Sequence, residues 1–324
     1  MNKKLPKVFV LDGSVAVTGA FISARDMARA LSEIADVELI LSDTASIPSI
    51  ELTEFAAVHY IPIRPLRRRL TDAAFYLPRL VQATWHLRQL TACEPSAIIL
   101  VNDFYLTQGL LLRLLRHHGP IITWVRINPG AFGRMGQVWL AIAARLSNKI
   151  VAVSQYIQDL LPDSIKSDLL YDPISAEYLS TPSPRDSHSR NFIFLGNYID
   201  GKGQDVAITA FARLLTDVPQ ARLHFHGGDM GLSRNRAYRR GLEVQAASLG
   251  ISHAVTFGEF AYDTRSVLAG AFASLNLSRS ESFSRTVLEA SAYGLPVIAT
   301  RSGGPVEIIA DGDTGLMIPI DDVN

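Results

Sequence analysis

Eleven short apolar runs, many rich in β-branched residues, alternate with longer stretches of helical period along this chain, and that alternation limits the folds open to it. Six runs lie in the first half: 7–11, 37–41, 57–61, 97–101, 121–125 and 149–153. Five follow a gap: 191–195, 221–226, 254–258, 273–278 and 296–300. Most are near-continuously apolar, as expected of strands buried on both faces of a parallel sheet. Helices are expected over 19–34, 105–118, 131–147, 203–215, 262–270 and 284–293. The gap, AEYLSTPSPRDSHSRN (176–191), is dominated by Pro, Ser and charge and has no periodicity. It is the expected linker. The fold class is therefore α/β, with two Rossmann-like parallel-sheet domains, 1–180 and 181–324. Parallel sheets bind ligands beyond the carboxyl ends of their strands, so two facing units predict a cleft with a small-molecule site.

Composition removes several function classes. The chain of 324 residues is 48% apolar, too apolar for a disordered protein. Its formal net charge is zero, so no global charge points to nucleic acid. Cys93 is the only cysteine, which excludes an intrachain disulfide and a Cys-based zinc cluster and fits a reducing, cytoplasmic setting. No run approaches the ~18 apolar residues of a spanning helix. The apolar run in MNKKLPKVFVLDG is too short for a signal peptide and reads as a strand.

Two stretches carry chemistry. In SRSESFSRTVLEASAYGLPVIATRSGG (278–304), Glu281 precedes a helix and Glu289 lies within it. Ser284 can N-cap that helix, and Gly294 stands where a C′ glycine belongs, with Pro296 beyond it. The helix start suits a phosphate, through its N–H groups and dipole. A carboxylate on each side could grip the hydroxyls of a nucleotide sugar. Ordinary acidic residues on a solvated helix fit the spacing equally well. In NFIFLGNYIDGKGQDVAITAFARL (191–214), Lys202 lies between Gly201 and Gly203 and can reach a phosphate on a neighbouring helix. The P-loop spacing is absent.

Together these stretches resemble the family 4 glycosyltransferases, retaining enzymes of GT-B architecture. The likeness covers most of the C-terminal half, through FLGNYIDGKGQDVAITAF, RLHFHGGDMG, VTFGEF and the run from FASLNLSRSES to GLMIP. It is looser in VTGAFISARDMARAL and KIVAVSQYIQDLL. The resemblance implies that Glu281 contacts the donor sugar and that Phe283, Ser284 and Arg285 present backbone N–H groups to its diphosphate. It implies that Glu289 binds the ribose and Lys202 neutralises the leaving group. Gly196 and Asn197 would line the donor loop, and Gly19 would let the first-domain loop come close. It implies a UDP- or GDP-sugar donor, a glycan or lipid-linked acceptor, no cofactor and no metal. Asn197 stands where the family usually has arginine, with Arg279 or Arg285 as substitutes. Arg126 and Asn128 stand where it often has histidine, and Arg126 is the first-domain catalytic candidate. The family normally continues past GLMIPIDD, so truncation at Asn324 is expected.

Other signals are weighed beside these. DGDTG (311–315) contains Asp-x-Asp, but its composition reads as a turn. His224 and His226 share one face of a strand without a third ligand. The segment 64–90 carries Arg64, Arg67, Arg68, Arg69, Arg79 and Arg88 against Asp72. With Pro78 opening a second helix and Trp85 beside the apolar face, it can lie on anionic lipid, cover a sheet, or bind an anionic acceptor. The alternatives to a glycosyltransferase are a catalytically weak or inactive nucleotide-sugar-binding protein, a sugar-nucleotide epimerase, and a nicotinamide oxidoreductase, though the last lacks its glycine fingerprint.

Overall fold

The computed structural model describes residues 5–63, 70–180 and 189–323. It divides into two compact units, Met1–Pro173 and Ile174–Asn324. In the first, β1 (Lys7–Leu11) leads into α1 (Gly19–Leu31), then β2 (Asp36–Ser42), β3 (Ala57–Ile61) and α2 (Leu70–Leu90). There follow β4 (Ile98–Val101), α3 (Thr107–Leu111), β5 (Ile121–Val125), α4 (Arg134–Leu146), β6 (Lys149–Ala152), α5 (Gln155–Asp159) and the two-residue β7 (Asp168–Leu169). The seven strands are ordered β3-β2-β1-β4-β5-β6-β7 and all pair in parallel.

The second unit holds α6 (Glu177–Ser180), β8 (Asn191–Leu195), α7 (Gln204–Asp217), β9 (Arg222–His226), α8 (Ser233–Ser248) and β10 (Val255–Gly258). It continues with α9 (Thr264–Leu268), β11 (Ala273–Asn276), α10 (Arg285–Ala292), β12 (Val297–Thr300) and β13 (Gly315–Ile318). Its six strands run β10-β9-β8-β11-β12-β13, again all parallel. Alternation along β8 shows why the strands are apolar throughout. Phe192 and Phe194 pack with α7 and α8 residues Phe211 and Leu242. Ile193 and Leu195 pack on the other face with Val287, Ala290 and Leu295. Both faces are covered, so no position is left for a polar residue facing water.

Each sheet reverses its strand order once, between β1 and β4 and between β8 and β11. Loops leaving neighbouring strands at such a point run in opposite directions and open a crevice at their carboxyl ends. The Lys202 loop leaves β8 and the Glu281 loop leaves β11, so the sheet order sets the two chemistry-bearing stretches side by side.

Three helical expectations are corrected. The chain forms α8, for which no helix was expected, because its sequence is polar and inward-facing residues are confined to Asn235, Leu242 and Ala246. Segment 70–90 is one helix with Pro78 inside it, not two. Segment 105–118 breaks into α3 and a 3-10 turn, Leu112–Leu115, which ends at Arg116 with φ 60°. Residues 64–69, with Arg64, Arg67, Arg68 and Arg69, lie outside the described residues, as does the core of the expected linker, 181–188.

Candidate functional site

The loop after β8 is held by its neighbours before it reaches Lys202. Gly196 N–H donates to His226 O at 2.9 Å, and Asn197 Oδ1 accepts from Gly228 N–H at 2.9 Å. Asn197 therefore braces the adjacent glycine turn. Tyr198 is fully buried, and its hydroxyl donates to Gly258 O at 2.7 Å. The chain then turns through Gly201 and Gly203, at φ 92° and 83°. Gly203 is required twice over. Its φ is positive, and a Cβ there would lie 2.0 Å from Leu277 O. The Lys202 turn is thus pressed against the end of β11.

From β11 the opposite loop is clamped in turn. Thr300 Oγ1 donates to Ser278 O at 2.5 Å, Glu281 N–H to Ser302 O at 2.9 Å, and Gly304 N–H to Glu281 O at 2.9 Å. A Cβ on Gly304 would fall 2.2 Å from Phe283 Cα. Two backbones meet there with no room for a side chain. Between the loops, Lys202 Nζ lies 2.7 Å from Glu281 Oε1, which also accepts from Ser278 Oγ at 2.7 Å. The lysine side chain is 33% exposed and the glutamate 12%. The lysine side of the pair is therefore partly open to solvent, while its partner is rooted in the protein.

Helix α10 starts beside this pair. Ser284 takes the expected N-cap position but does not cap: it has φ 81°, ψ 82° and makes no side-chain cap bond. Its hydroxyl instead accepts from Asn276 Nδ2 at 3.0 Å, and the same nitrogen donates to Thr286 Oγ1 at 3.2 Å. Asn276 Oδ1 is buried without a partner. Phe283 is 6% exposed. One turn in, Arg285 Nε donates to Glu289 Oε1 at 2.8 Å, and Thr264 Oγ1 donates to Glu289 Oε2 at 3.0 Å. Tyr178 of α6 hydrogen-bonds Thr264 in turn. The Arg285 and Glu289 side chains are nearly dry, so each offsets the desolvation of the other. Arg279 is engaged with Asp321, Asp200 and Asp205.

The first unit gathers polar residues at its own reversal point. Asp12 follows β1, Asn102 and Asp103 follow β4, and Arg126 follows β5, all buried. Arg126 Nε donates to Asn102 Oδ1 at 2.6 Å, Nη1 to Asp172, and Nη2 to Ser23 Oγ at 3.2 Å. Its guanidinium also lies 4.3 Å from the Trp124 ring centroid. Asn102 donates to Asp12. Burial pushes the Asp103 carboxyl up to about 7, against the pull of the Arg126 and Phe104 backbone N–H groups. Burial also raises Tyr105. Gly19 is the exposed first residue of α1, without a positive φ. In that loop the close approach falls to Gly13, where a Cβ would stand 2.9 Å from Tyr105 Oη.

The structure thus gathers Gly196, Asn197, Lys202, Glu281, Phe283, Ser284, Arg285 and Glu289 at one end of the second sheet. Gly19 and Arg126 lie in the other unit. Sequence reasoning passed over Asn276, Thr264, Gly304 and the Asp12–Asn102–Asp103 group. Asn276 carried a signal, as an amide closing an apolar strand. DGDTG forms a turn in which Asp311 accepts from Met317 N–H at 2.9 Å and pairs with Arg301. Among the described residues no group of three or more His, Cys, Asp or Glu is placed to hold a metal.

Residues 179–324 match the family model for glycosyl transferases group 1. The chain is 36% identical over 132 residues to a D-inositol 3-phosphate glycosyltransferase of Acidothermus cellulolyticus, covering 39% of this chain and 29% of that protein. It is 33% identical over 144 residues to a GDP-mannose-dependent phosphatidylinositol monomannoside mannosyltransferase of Mycolicibacterium smegmatis, covering 41% and 35%. The matches span about a third of the length of these relatives. Among solved structures, Anabaena HepE in complex with UDP and glucose superposes with TM-score 0.80 at 19% identity, over 98% of this chain and 87% of that one. Sucrose-phosphate synthase of Thermosynechococcus elongatus superposes with TM-score 0.77 at 18% identity, over 98% and 87%. The fold is that of the GT-B class, two Rossmann-like units. Within it, the second unit is similar in sequence to group 1 glycosyltransferases.

Proposed function

We propose that the protein is a glycosyltransferase that moves a sugar from a nucleotide-sugar donor to a hydroxyl of a glycan or lipid-linked glycan, with retention at the anomeric carbon. The observation that carries this is the Lys202–Glu281 pair at the mouth of the β8/β11 crevice, beside the start of α10. The group 1 match over the same unit supports it. UDP and GDP are the favoured donor nucleotides, since HepE is solved with UDP and glucose and the mannosyltransferase relative is GDP-mannose-dependent.

In this reading the donor's sugar–phosphate bond breaks through an oxocarbenium-like state, and charge builds on the departing diphosphate. Lys202 and the positive end of the α10 dipole meet that charge without a metal. Lys202 exchanges Glu281 for phosphate as the donor enters, and Glu281 is released towards the sugar hydroxyls. Arg126 acts as a positioning residue, since its guanidinium is buried and held by Asn102, Asp172 and Ser23.

The test is nucleoside diphosphate release and sugar transfer from a panel of UDP- and GDP-sugars. Lys202→Ala and Glu281→Ala are each expected to lower turnover about a hundredfold to a thousandfold. Unchanged turnover in both would overturn the assignment. A second reading, a nucleotide-sugar-binding protein with little or no turnover, is favoured by one observation: Asn197, where the resemblance expects a phosphate-binding arginine, brings no cation and spends its amide oxygen on Gly228 N–H. Donor binding without product from any acceptor would select this reading.

A further inference from the structure

The Glu289 carboxylate is held from its own helix and from two other elements. Arg285 Nε, one turn earlier on α10, donates to Oε1 at 2.8 Å. Oγ1 of Thr264, the first residue of α9, donates to Oε2 at 3.0 Å. Thr264 has a single hydroxyl proton, and Glu289 takes it. The hydrogen bond between Tyr178 Oη and Thr264 Oγ1 must then run from the tyrosine. Burial and the Glu289 charge push the Tyr178 hydroxyl up to about 12, so it keeps its proton and donates. Tyr178 is itself fixed. It packs against the core that holds Leu268, Val287 and Ala290. Its neighbour Glu177 pairs with Arg265 Nη1 of α9 at 2.8 Å, and Asp263 caps α9 by accepting from Arg265 N–H at 3.1 Å.

A buried carboxylate needs a counter-charge, and Arg285 supplies one. The Tyr178–Thr264 chain adds no charge. It adds direction. With a donor on each oxygen the carboxylate plane is fixed, and the Thr264 hydroxyl cannot rotate away while Tyr178 donates to it. Direction matters where a ligand must be met. Glu289 lies about 6 Å along α10 from Arg285, at 1.5 Å per residue. That is within reach of a ribose whose diphosphate sits at the helix start. We propose that Tyr178 and Thr264 are positioning residues, which orient the Glu289 carboxylate to accept from the ribose hydroxyls of the donor nucleotide. The inference rests on the donor reading and extends that site to α6 and α9, elements that carry neither Lys202 nor Glu281.

Titration calorimetry on the full chain separates this role from a structural one. The probes are UDP and GDP, each beside its 2′,3′-dideoxy counterpart. The parent is expected to bind at least one of the two diphosphates about tenfold or more tighter than the dideoxy form, which cannot donate to the carboxylate. Thr264→Val keeps the branched shape and loses the hydroxyl. It should remove most of that preference and leave affinity for the dideoxy form unchanged. Tyr178→Phe removes only the outer hydroxyl and should cut the preference about threefold. It decides the case alone if Thr264→Val does not fold. Thr264→Ser retains the hydroxyl and should retain the preference. In turnover, the valine and phenylalanine variants should raise KM for the donor more than they lower kcat. Full preference in both, with only a lowered melting temperature, would make the chain of hydroxyls a structural prop and overturn the proposal while the donor reading stands. Equal binding of ribose and dideoxyribose forms by the parent would also overturn it, by removing the ribose from Glu289. A parent that binds neither UDP nor GDP would overturn the donor reading itself, and this proposal with it.

Discussion

Ser284 holds φ 81° at the start of α10, a conformation that costs an L-residue roughly 1–2 kcal/mol. Its hydroxyl offsets part of that cost by accepting from the buried Asn276. The two contributions separate by substitution. Ser284→Ala keeps the strain and loses the hydrogen bond, and should destabilise by about 1–2 kcal/mol. Ser284→Gly loses the same bond but relieves the backbone, and should be more stable than the alanine variant by about 1 kcal/mol in denaturant unfolding. Equal stability of the two would mean that the serine backbone is unstrained. Asp103 gives a residue-scale prediction in the other unit. Its folded value, about 7, lies above the ordinary 3.8 because burial disfavours the charge. Between those values the unfolded chain has lost this proton and the folded one has kept it, so stability falls as pH rises from about 4 to about 7. Asp103→Asn removes the titration and can still accept from the Phe104 and Arg126 N–H groups. It should match the parent near pH 4 and exceed it by a few kcal/mol at pH 8. Parallel stability profiles would refute this.

At the scale of elements, the donor crevice depends on two loops gripping each other through glycines. Gly304→Ala would drive a methyl into the Phe283 backbone, which cannot yield as a flexible side chain would. The 281–284 loop must then move away from Lys202. The expected outcome is loss of nucleoside diphosphate binding by calorimetry, with far-UV circular dichroism retained. Tight binding by the variant would show that the clamp does not position the site. The strands around this crevice were legible because burial on both faces leaves continuous apolar runs such as Phe192–Leu195. Helix α8 was not legible, since its polar sequence turns only a thin seam inward. Helix α2 was misread in the opposite direction: Pro78 looked like a start and is an interior residue, tolerated at the loss of one backbone hydrogen bond. Lys202 and Glu281 could be picked out because glycines and helix starts mark their loops. Thr264 could not, and the amide that closes β11 at Asn276 was only a hint, because what they do depends on partners at Glu289 and Ser284 that only the folded sheet brings near.

The whole molecule consists of two units that each bury their own core, one around strands such as β1 and β4, the other around β8 and β9. A single unfolding free energy is then not the natural description, and calorimetry should resolve two transitions. The substitutions argued above give a way to assign them. Asp103→Asn should move the first unit's transition at pH 8, and Ser284→Ala the second's. A nucleoside diphosphate that binds at the β8/β11 crevice stabilises only the unit that holds it. At a hundred times its dissociation constant it adds about 2.7 kcal/mol. For a unit of this size that is roughly 5–11 °C in melting temperature. The expected result is therefore a shift of the Ser284-sensitive transition with UDP or GDP, absent in Lys202→Ala, while the Asp103-sensitive transition stays in place. A shift confined to the Asp103-sensitive transition would place the nucleotide at the Asp12–Asn102–Arg126 cluster instead, and the roles assigned to Lys202 and Glu281 would pass to that unit.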